Sequence, residues 1–481
     1  MIEATRRKWY ALALLLGVQF MVVLDIAIVN VALPSIQTDL GFSQANLQWV
    51  VSAYALLFGG FLLLGGRVAD LIGRRRVFVV GLVVFTGASL LSGLSWSEGS
   101  LIGARALQGF GAAMITPAAL SILTTTFAEG KERNTALGAW GGVGAFGAVA
   151  GVLLGGVLTE LLSWNWIFFV NVPVGLIGLA LAPILLTESR DARIKTFDLP
   201  GAALVTGGLV TLVYAITQAN SNGWGSVETI ALFAASLVIL AAFAAWEARN
   251  SEPLVPFSIF RLRTVVGANV AGLILGTAIF AMFLMLTLYM QQVLHYSAMK
   301  TGVAYLAVAG TAIFWSALAA QLVTRVGVKP VLVGGMTALS AGLIYFTQVS
   351  AGGSYLGDLL PGLLLIAVGL GFSFVPISIA ALAGVEPAEA GLASGLINMS
   401  QQIGGALGIA ALSAIATSTT HSSIVSGTLR DAALTDGFQA AFMAAAGVAL
   451  AGILVALVVV RRSDLDVATD VVEETPALEA A

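Results

Sequence analysis

Fourteen apolar runs of about 19 to 25 residues dominate the chain, each long enough to cross a hydrocarbon core of roughly 30 Å as a helix. They fall at approximately 9–33, 46–66, 77–95, 101–127, 134–158, 166–186 and 199–218, and then at 229–247, 266–290, 301–323, 330–349, 359–383, 394–417 and 438–460. Composition supports the same reading. Of 481 residues 58% are hydrophobic and 10% charged, against about 25% charged in an ordinary soluble protein. That leaves too little charge to cover a water-soluble globule, and too much apolar surface for a disordered chain. The sequence predicts an all-α polytopic membrane protein.

The absence of cysteine excludes disulfides and thiolate metal sites. His295 and His421 are the only histidines and lie far apart in sequence, which does not suggest a metal centre. Arg6-Arg7-Lys8 before an apolar stretch has the look of a signal peptide. The stretch continues to Pro34 without a small-residue cleavage site, so an uncleaved first helix is expected.

An even number of spans puts both termini on one side. With that side cytoplasmic, nineteen Lys and Arg face inward and two, Lys300 and Arg430, face outward, leaving Arg105 inside span 4. Such asymmetry is what the positive-inside bias produces when spans are counted correctly. The expected location is therefore the cytoplasmic membrane, with both termini inside. Residues 463–481 carry acidic groups and no basic ones, and are expected to form a solvated, disordered tail.

The chain also repeats. Gly138, Gly147 and Gly151 recur as Gly395, Gly404 and Gly408, and Glu132 and Ala136 recur as Glu389 and Ala393, all at one offset. Asp70-Leu71-Ile72-Gly73-Arg74 is echoed by Thr324-Arg325-Val326-Gly327-Val328. The expected organisation is a six-helix unit over 1–190, two inserted helices within 191–255, and a second six-helix unit over 256–462. Duplicated bundles are a transporter signature, because alternating access needs two halves rocking about a central site.

Particular residues then narrow the reading. Leu24-Asp25 precedes Asn30-Val31-Ala32-Leu33-Pro34, and Gly66-x3-Asp70-x2-Gly73-Arg74-Arg75 follows span 2. Span 4 carries Arg105-x2-Gln108-Gly109, and span 5 carries glycines from Gly147 to Gly156. Trp164-Asn165-Trp166-Ile167-Phe168 leads into Asn171-Val172-Pro173, and Gly391-Leu392-Ala393-Ser394-Gly395 lies near the end. In this order the motifs resemble the fourteen-helix drug:proton antiporters of the major facilitator superfamily, over nearly the whole chain. The resemblance implies a major facilitator fold of two six-helix bundles with two extra central helices. It also implies export of a lipophilic or cationic small molecule in exchange for protons, with a monomer sufficient.

Asp25 is the sharpest residue. It stands mid-span with no other acid between Glu3 and Asp39. A charge there costs about 2.5–3.5 kcal/mol on insertion scales and usually faces the bundle interior or an aqueous cavity. Arg105, the one basic residue placed within a span, does not deprotonate and so acts by stabilising an ionised acid such as Asp25. The resemblance implies that Asp25 and Arg105 couple protons. It also implies that Gly66, Asp70, Gly73, Arg74 and Arg75 form a cytoplasmic gating loop latching the outward-facing state, with Leu71 where the family usually has a basic residue. Gly147, Gly151, Gly155 and Gly156 correspond to the antiporter motif, expected where the halves meet, with Val152 in place of the usual proline. Small residues at such spacing allow close helix approach.

Substrate contacts are expected at Asn30, Tyr54 and Gln108 in the first half. In the second they are expected at Met285, Tyr289, Gln292, Trp315, Asn398 and Gln401, since soft and aromatic linings suit variable ligands. No Walker sequence occurs, so a proton gradient, without a cofactor, is the expected energy source. A symporter of the same fold is the alternative. Gly142-x-Gly144-x2-Gly147 is not a nucleotide site, because no strand precedes it. Enzyme chemistry has no paired acids or cysteine to use, and no nucleic-acid partner is expected.

Overall fold

A computed structural model of the chain describes residues 4–127, 131–190, 198–250, 253–385 and 389–458. The tail expected at 463–481 lies outside these residues. Among the described residues fourteen helices are long and apolar enough to cross a membrane. The first six are α1 (Arg6–Leu40), α2 (Trp49–Ile72), α3 (Arg74–Gly93), α4 (Glu98–Thr126), α5 (Thr135–Leu161) and α6 (Trp166–Leu185). Two more follow, α7 (Leu199–Ala219) and α8 (Val227–Glu247). The last six are α9 (Arg263–Val293), α10 (Ala298–Val326), α11 (Val328–Phe346), α12 (Tyr355–Leu382), α13 (Gly391–Val425) and α14 (Arg430–Val458).

Several helices outrun the apolar stretches that announced them. α1 continues past Pro34 to Leu40, and Thr38 returns its hydroxyl to the Pro34 carbonyl. α13 extends to Val425 through Ser418 and Ser422, the Ser422 hydroxyl donating to the Ser418 carbonyl within the helix. Hydroxyls satisfied in this way let a polar helix continue. α6 is broken at Val170 and α10 at Tyr305, and α9 ends in a wider turn at Tyr289–Val293.

The packing repeats as the glycine pattern does. In the first six helices α1 packs on α5 and α6, α4 on α2 and α3, and α3 on α6. In the last six, α9 packs on α13 and α14, α12 on α10 and α11, and α11 on α14. Advancing each label by eight turns one set into the other. The contacts between the units obey the same exchange: α2 meets α13, α5 meets α10, and α1 meets α9. Gly73 and Gly327 close the α2–α3 and α10–α11 turns with φ of 130° and 87°. Only glycine adopts such angles without strain, so the faint echo of one loop in the other has a backbone cause.

Small residues set the spacing. A Cβ on Gly151 would lie 2.7 Å from Ala27 Cβ and 2.8 Å from the Leu24 carbonyl oxygen. Gly147 and Gly155 likewise face Val23 and Ile28 of α1, while Gly404 and Gly408 face Leu273 and Thr277 of α9. The placement corrects one expectation. Gly147, Gly151 and Gly155 hold α5 to α1 within the first unit, and only Gly156 sits at the junction of the halves, against Ala298 and Met299. The reason is periodic: a four-residue glycine spacing makes one stripe, and that stripe faces α1.

The inserted hairpin breaks the symmetry. α7 packs on both α2 and α13, covering one junction between the halves, whereas α8 packs on α7. Gln48 donates to Thr217 Oγ1 at 2.6 Å, and Thr206 fills the space beside Gly60. Asp198 caps α7, accepting from Gly201 N, Trp246 Nε1 and Asn250 Nδ2, each at 2.8 Å. Burial pushes that carboxyl upward, and these donors outweigh it and hold its pKa below the ordinary aspartate value.

Replacing Gly151 with Val is expected to cost about 1–3 kcal/mol by overpacking α1 against α5. Gly138, with nothing within 4 Å of a Cβ, is expected to accept Ala without loss. Thermal unfolding of the two purified variants checks the contrast.

Candidate coupling site

The interior of the first unit holds a group of polar side chains with no access to water. Asp25 is 0% exposed and Arg105 1% exposed, and Arg105 Nη1 lies 2.6 Å from Asp25 Oδ2. The other carboxylate oxygen, Oδ1, accepts from Gln108 Nε2 and Asn171 Nδ2, both at 2.8 Å. Gln108 Oε1 also accepts from Arg105 Nη1 at 2.7 Å. Ser89 completes the group: its hydroxyl accepts from Gln108 and Asn171 and donates to the Phe168 carbonyl at 2.9 Å.

Four helices deliver the five side chains. Asp25 comes from α1, Ser89 from α3, Arg105 and Gln108 from adjacent turns of α4, and Asn171 from α6. The break in α6 at Val170 accompanies the Phe168 carbonyl that Ser89 uses. α2 supplies the Val50 carbonyl, which accepts from Arg105 Nε at 3.0 Å. α2 also supplies the Tyr54 ring, 4.4 Å from the guanidinium carbon, and Phe168 lies on Arg105 at 5.6 Å. A desolvated cation on an aromatic face gains about 2 kcal/mol. α5 closes the back, its Gly151 against the Leu24 carbonyl.

The arrangement balances charge and saturates it. Two unit charges in a dry interior are tolerated only when paired and hydrogen-bonded, and here the remaining bonds come from the neutral Gln108 and Asn171 amides and the Val50 carbonyl. Apart from Asp25, Arg105 is held by Val50 O, Gln108 Oε1 and two aromatic faces.

The structure brings Gln108 and Tyr54, expected as substrate contacts, into this group instead, 0% and 1% exposed. Asn30 is spent on its own helix, donating to Ile26 O, and Asn398 likewise to Ser394 O. Tyr289 is buried with its hydroxyl on Ser350 O. Trp315 packs edge-on to Phe314 and Phe372. Gln401 lies along α9 at Gly276, with Nε2 buried and unpartnered. Of the expected set, Met285 and Gln292 line a cavity at the end away from the termini. Ser89 and Asn171 were not singled out as site residues; Asn171 stood in a quoted motif, and a serine in an apolar run carries no signal of its own.

The loop after α2 is tied within the first unit. Arg74 Nε donates to Asp70 Oδ1 at 2.8 Å, Ser121 reaches the same oxygen at 3.4 Å, and Arg75 N donates to Glu188 Oε1 at 3.1 Å. Gly66 borders Pro117, and a side chain at Gly73 would strike Glu188. None of these bonds reaches the second unit. The halves instead join at the end away from the termini, through Gln291 Nε2 to Val31 O at 2.8 Å and Gln292 Nε2 to Gln37 Oε1 at 2.9 Å. Met299 N also donates to Glu160 Oε2 at 2.9 Å there. Toward the terminal end, a Cβ on Gly138, Gly142 or Gly144 of α5 would meet nothing within 4 Å.

Comparison with known proteins places this geometry. The chain matches the family described as Major Facilitator Superfamily over residues 15–409. It is 43% identical over 434 residues to the puromycin resistance protein pur8 of Streptomyces alboniger, covering 90% of this chain and 86% of that protein. It is 41% identical over 424 residues to the cephamycin export protein CmcT of Amycolatopsis lactamdurans, covering 86% of each. Among solved structures, a bacterial homolog of the human lysosomal transporter Spinster superposes with a TM-score of 0.66 at 16% identity, covering 94% of this chain and 97% of that one. An auto-inhibited POT family peptide transporter gives 0.67 at 16% identity, covering 93% and 97%.

Truncating Arg105 to Met is expected to destabilise the protein by roughly 3–5 kcal/mol, because it leaves Asp25 charged and unpaired. The double variant Asp25→Asn/Arg105→Met should recover part of that loss. Thermal unfolding of wild type, both singles and the double measures the coupling, and additive losses would refute it.

Proposed function

The chain belongs to the major facilitator superfamily, and on that premise we propose that it exports a small lipophilic compound across the cytoplasmic membrane in exchange for protons. It is a multi-pass membrane transporter and not an enzyme. The relatives' names, puromycin resistance and cephamycin export, support outward movement of antibiotic-like molecules. The asymmetry of Lys and Arg between the two sides supports cytoplasmic termini. The observation that carries proton coupling is the sealed Asp25–Arg105 pair with its neutral collar.

The proposed cycle follows from that collar. With the terminal, cytoplasmic side open, Asp25 is ionised and held by Arg105, Gln108 and Asn171, and substrate enters between the halves. Rocking of the second unit closes the cytoplasmic side and breaks the Gln291 and Gln292 bonds at the outer end. Water then reaches the first unit from outside, a proton passes from it to an Asp25 carboxylate oxygen, and substrate leaves. Return of the halves exposes Asp25 to the cytoplasm, where the proton is lost to water and the pair closes again. One proton entering down 100 mV yields about 2.3 kcal/mol, and one pH unit adds about 1.4. Together they sustain a gradient of several hundredfold, order of magnitude, for a neutral substrate. The gating loop keeps α2, α3 and the end of α6 moving as one body, through Asp70, Arg74, Arg75 and Glu188.

The test uses purified protein in liposomes loaded with a pH-sensitive dye, under an imposed proton gradient. Puromycin, a cephamycin and a panel of lipophilic cations are added to wild type and to Asp25→Asn. Substrate-dependent proton flux in wild type, reduced at least about a hundredfold in the variant, is the expected outcome on the scale of a lost acid–base group. Flux that survives the substitution would move coupling away from Asp25. Proton movement in the same direction as the substrate would make the protein a symporter.

A further inference from the structure

A groove runs along the flank of the first unit between α1 and α6, enclosing about 490 Å³. Ala13, Gly17 and Gly178 make its floor, and Tyr10 and Ile177 stand at its rims, 52% and 59% exposed. On α1 the lining residues recur at three- and four-residue spacing, so one stripe of that helix faces the groove. Small residues make the depression: a Cβ on Gly17 would meet nothing within 4 Å. The groove is separate from the two seams, because its walls are α1 and α6, whereas the seams are α2 with α13 and α5 with α10.

Length and charge set what fits. From Val174 to Leu185 the α6 wall covers eleven residues, about 16 Å at the helical rise. That is half of a hydrocarbon core of roughly 30 Å, so the groove spans one leaflet, the one on the side of the termini where α6 ends. Its polar end is basic. Arg7 Nε donates to the carbonyl of Leu185, the last lining residue, at 3.3 Å. Among the described residues its two terminal nitrogens make no further bond and it has no carboxylate partner. Arg75 Nη1 donates to the next carbonyl, Leu186, also at 3.3 Å. The neighbouring acids are already engaged: Glu188 lies 3.8 Å from Arg75 and 3.7 Å from Arg76, and Glu132 lies 2.7 Å from Lys8. Trp9 and Tyr10 place exposed aromatic rings at the same level, where interfacial anchors sit.

We propose that this groove binds one anionic phospholipid of the leaflet on the side of the termini, its phosphate on Arg7 and one acyl chain lying between α1 and α6. In hydrocarbon the groove gains nothing from the hydrophobic effect, since lipid tails are as apolar as its walls. The acyl chain contributes van der Waals contact and fixes position, while the arginine selects the charge of the headgroup. A lipid seated there ties the start of α1 to the end of α6, the two helices that supply Asp25 and Asn171. The proposal rests on neither proton coupling nor the direction of transport.

Native mass spectrometry of the purified full-length protein counts the lipid it keeps on release from micelles carrying equal amounts of phosphatidylglycerol and phosphatidylcholine with the same acyl chains. Wild type is expected to keep one lipid, phosphatidylglycerol about fivefold over phosphatidylcholine, on the scale of one arginine facing an anionic lipid. Gly17→Leu, which fills the groove, should lose it. Gly447→Leu, on α14 and equally open around its Cβ, should keep it. Arg7→Gln should erase the preference and Arg7→Lys should retain it. Equal retention of both lipids by wild type, or retention unchanged in Gly17→Leu, would overturn the proposal. So would a dimer that Gly17→Leu dissolves, which assigns the groove to a second copy of the chain. Displacement of the lipid by millimolar inorganic phosphate would assign Arg7 to a free anion and overturn it as well.

Discussion

A carboxylate and a guanidinium held 2.6 Å apart in a waterless interior set the terms for the first six helices. Neither charge is tolerated there alone, and the pair is tolerated only with its remaining valences filled. That requirement draws Ser89, Asn171 and Gln108 inward and fixes the Val50 carbonyl and the Tyr54 ring against Arg105. It ties α1, α2, α3, α4 and α6 to one point, with α5 seated behind by Gly151. A group so constrained is a poor place to carry static stability, since an apolar core would serve as well. Its distinctive property is that both charges, and the polar groups that hold them, are sealed from water.

The rest of the molecule supplies the two stances. Exchange of the halves maps α2·α13 onto α10·α5, so the junctions are equivalent by construction. They differ in use. The α2·α13 junction is covered by α7, and the α5·α10 junction is made by Gly156 against Ala298 and Met299 and by Gly302 against Val152. The inserted hairpin covers one seam without entering either bundle.

Much of this was legible in the residues and some was not, for identifiable reasons. The spans announced themselves because charge is so rare that each apolar run stands out. For the same reason Asp25 and Arg105 were visible as a pair before any geometry. Ser89 and Asn171 were not, because neutral polar groups cost little in a helix interior and leave no mark. Tyr54 and Gln108 read as ligand contacts because polarity alone cannot say whether a side chain faces a cavity or a buried charge. The glycine stripe on α5 predicted close approach correctly, but a stripe does not name its neighbour, and α1 rather than the second unit receives it. The two histidines, remote in sequence, meet on one cavity because α9 and α13 end side by side.

The central claim is that substrate and proton compete through Asp25, and infrared difference spectroscopy of the purified protein observes that carboxyl directly. Substrate added at constant pH should remove a protonated-carboxyl band, with a matching gain of carboxylate, and both should be absent in Asp25→Asn. A substrate-induced spectrum in which that band never appears, or appears undiminished in Asp25→Asn, would contradict the account.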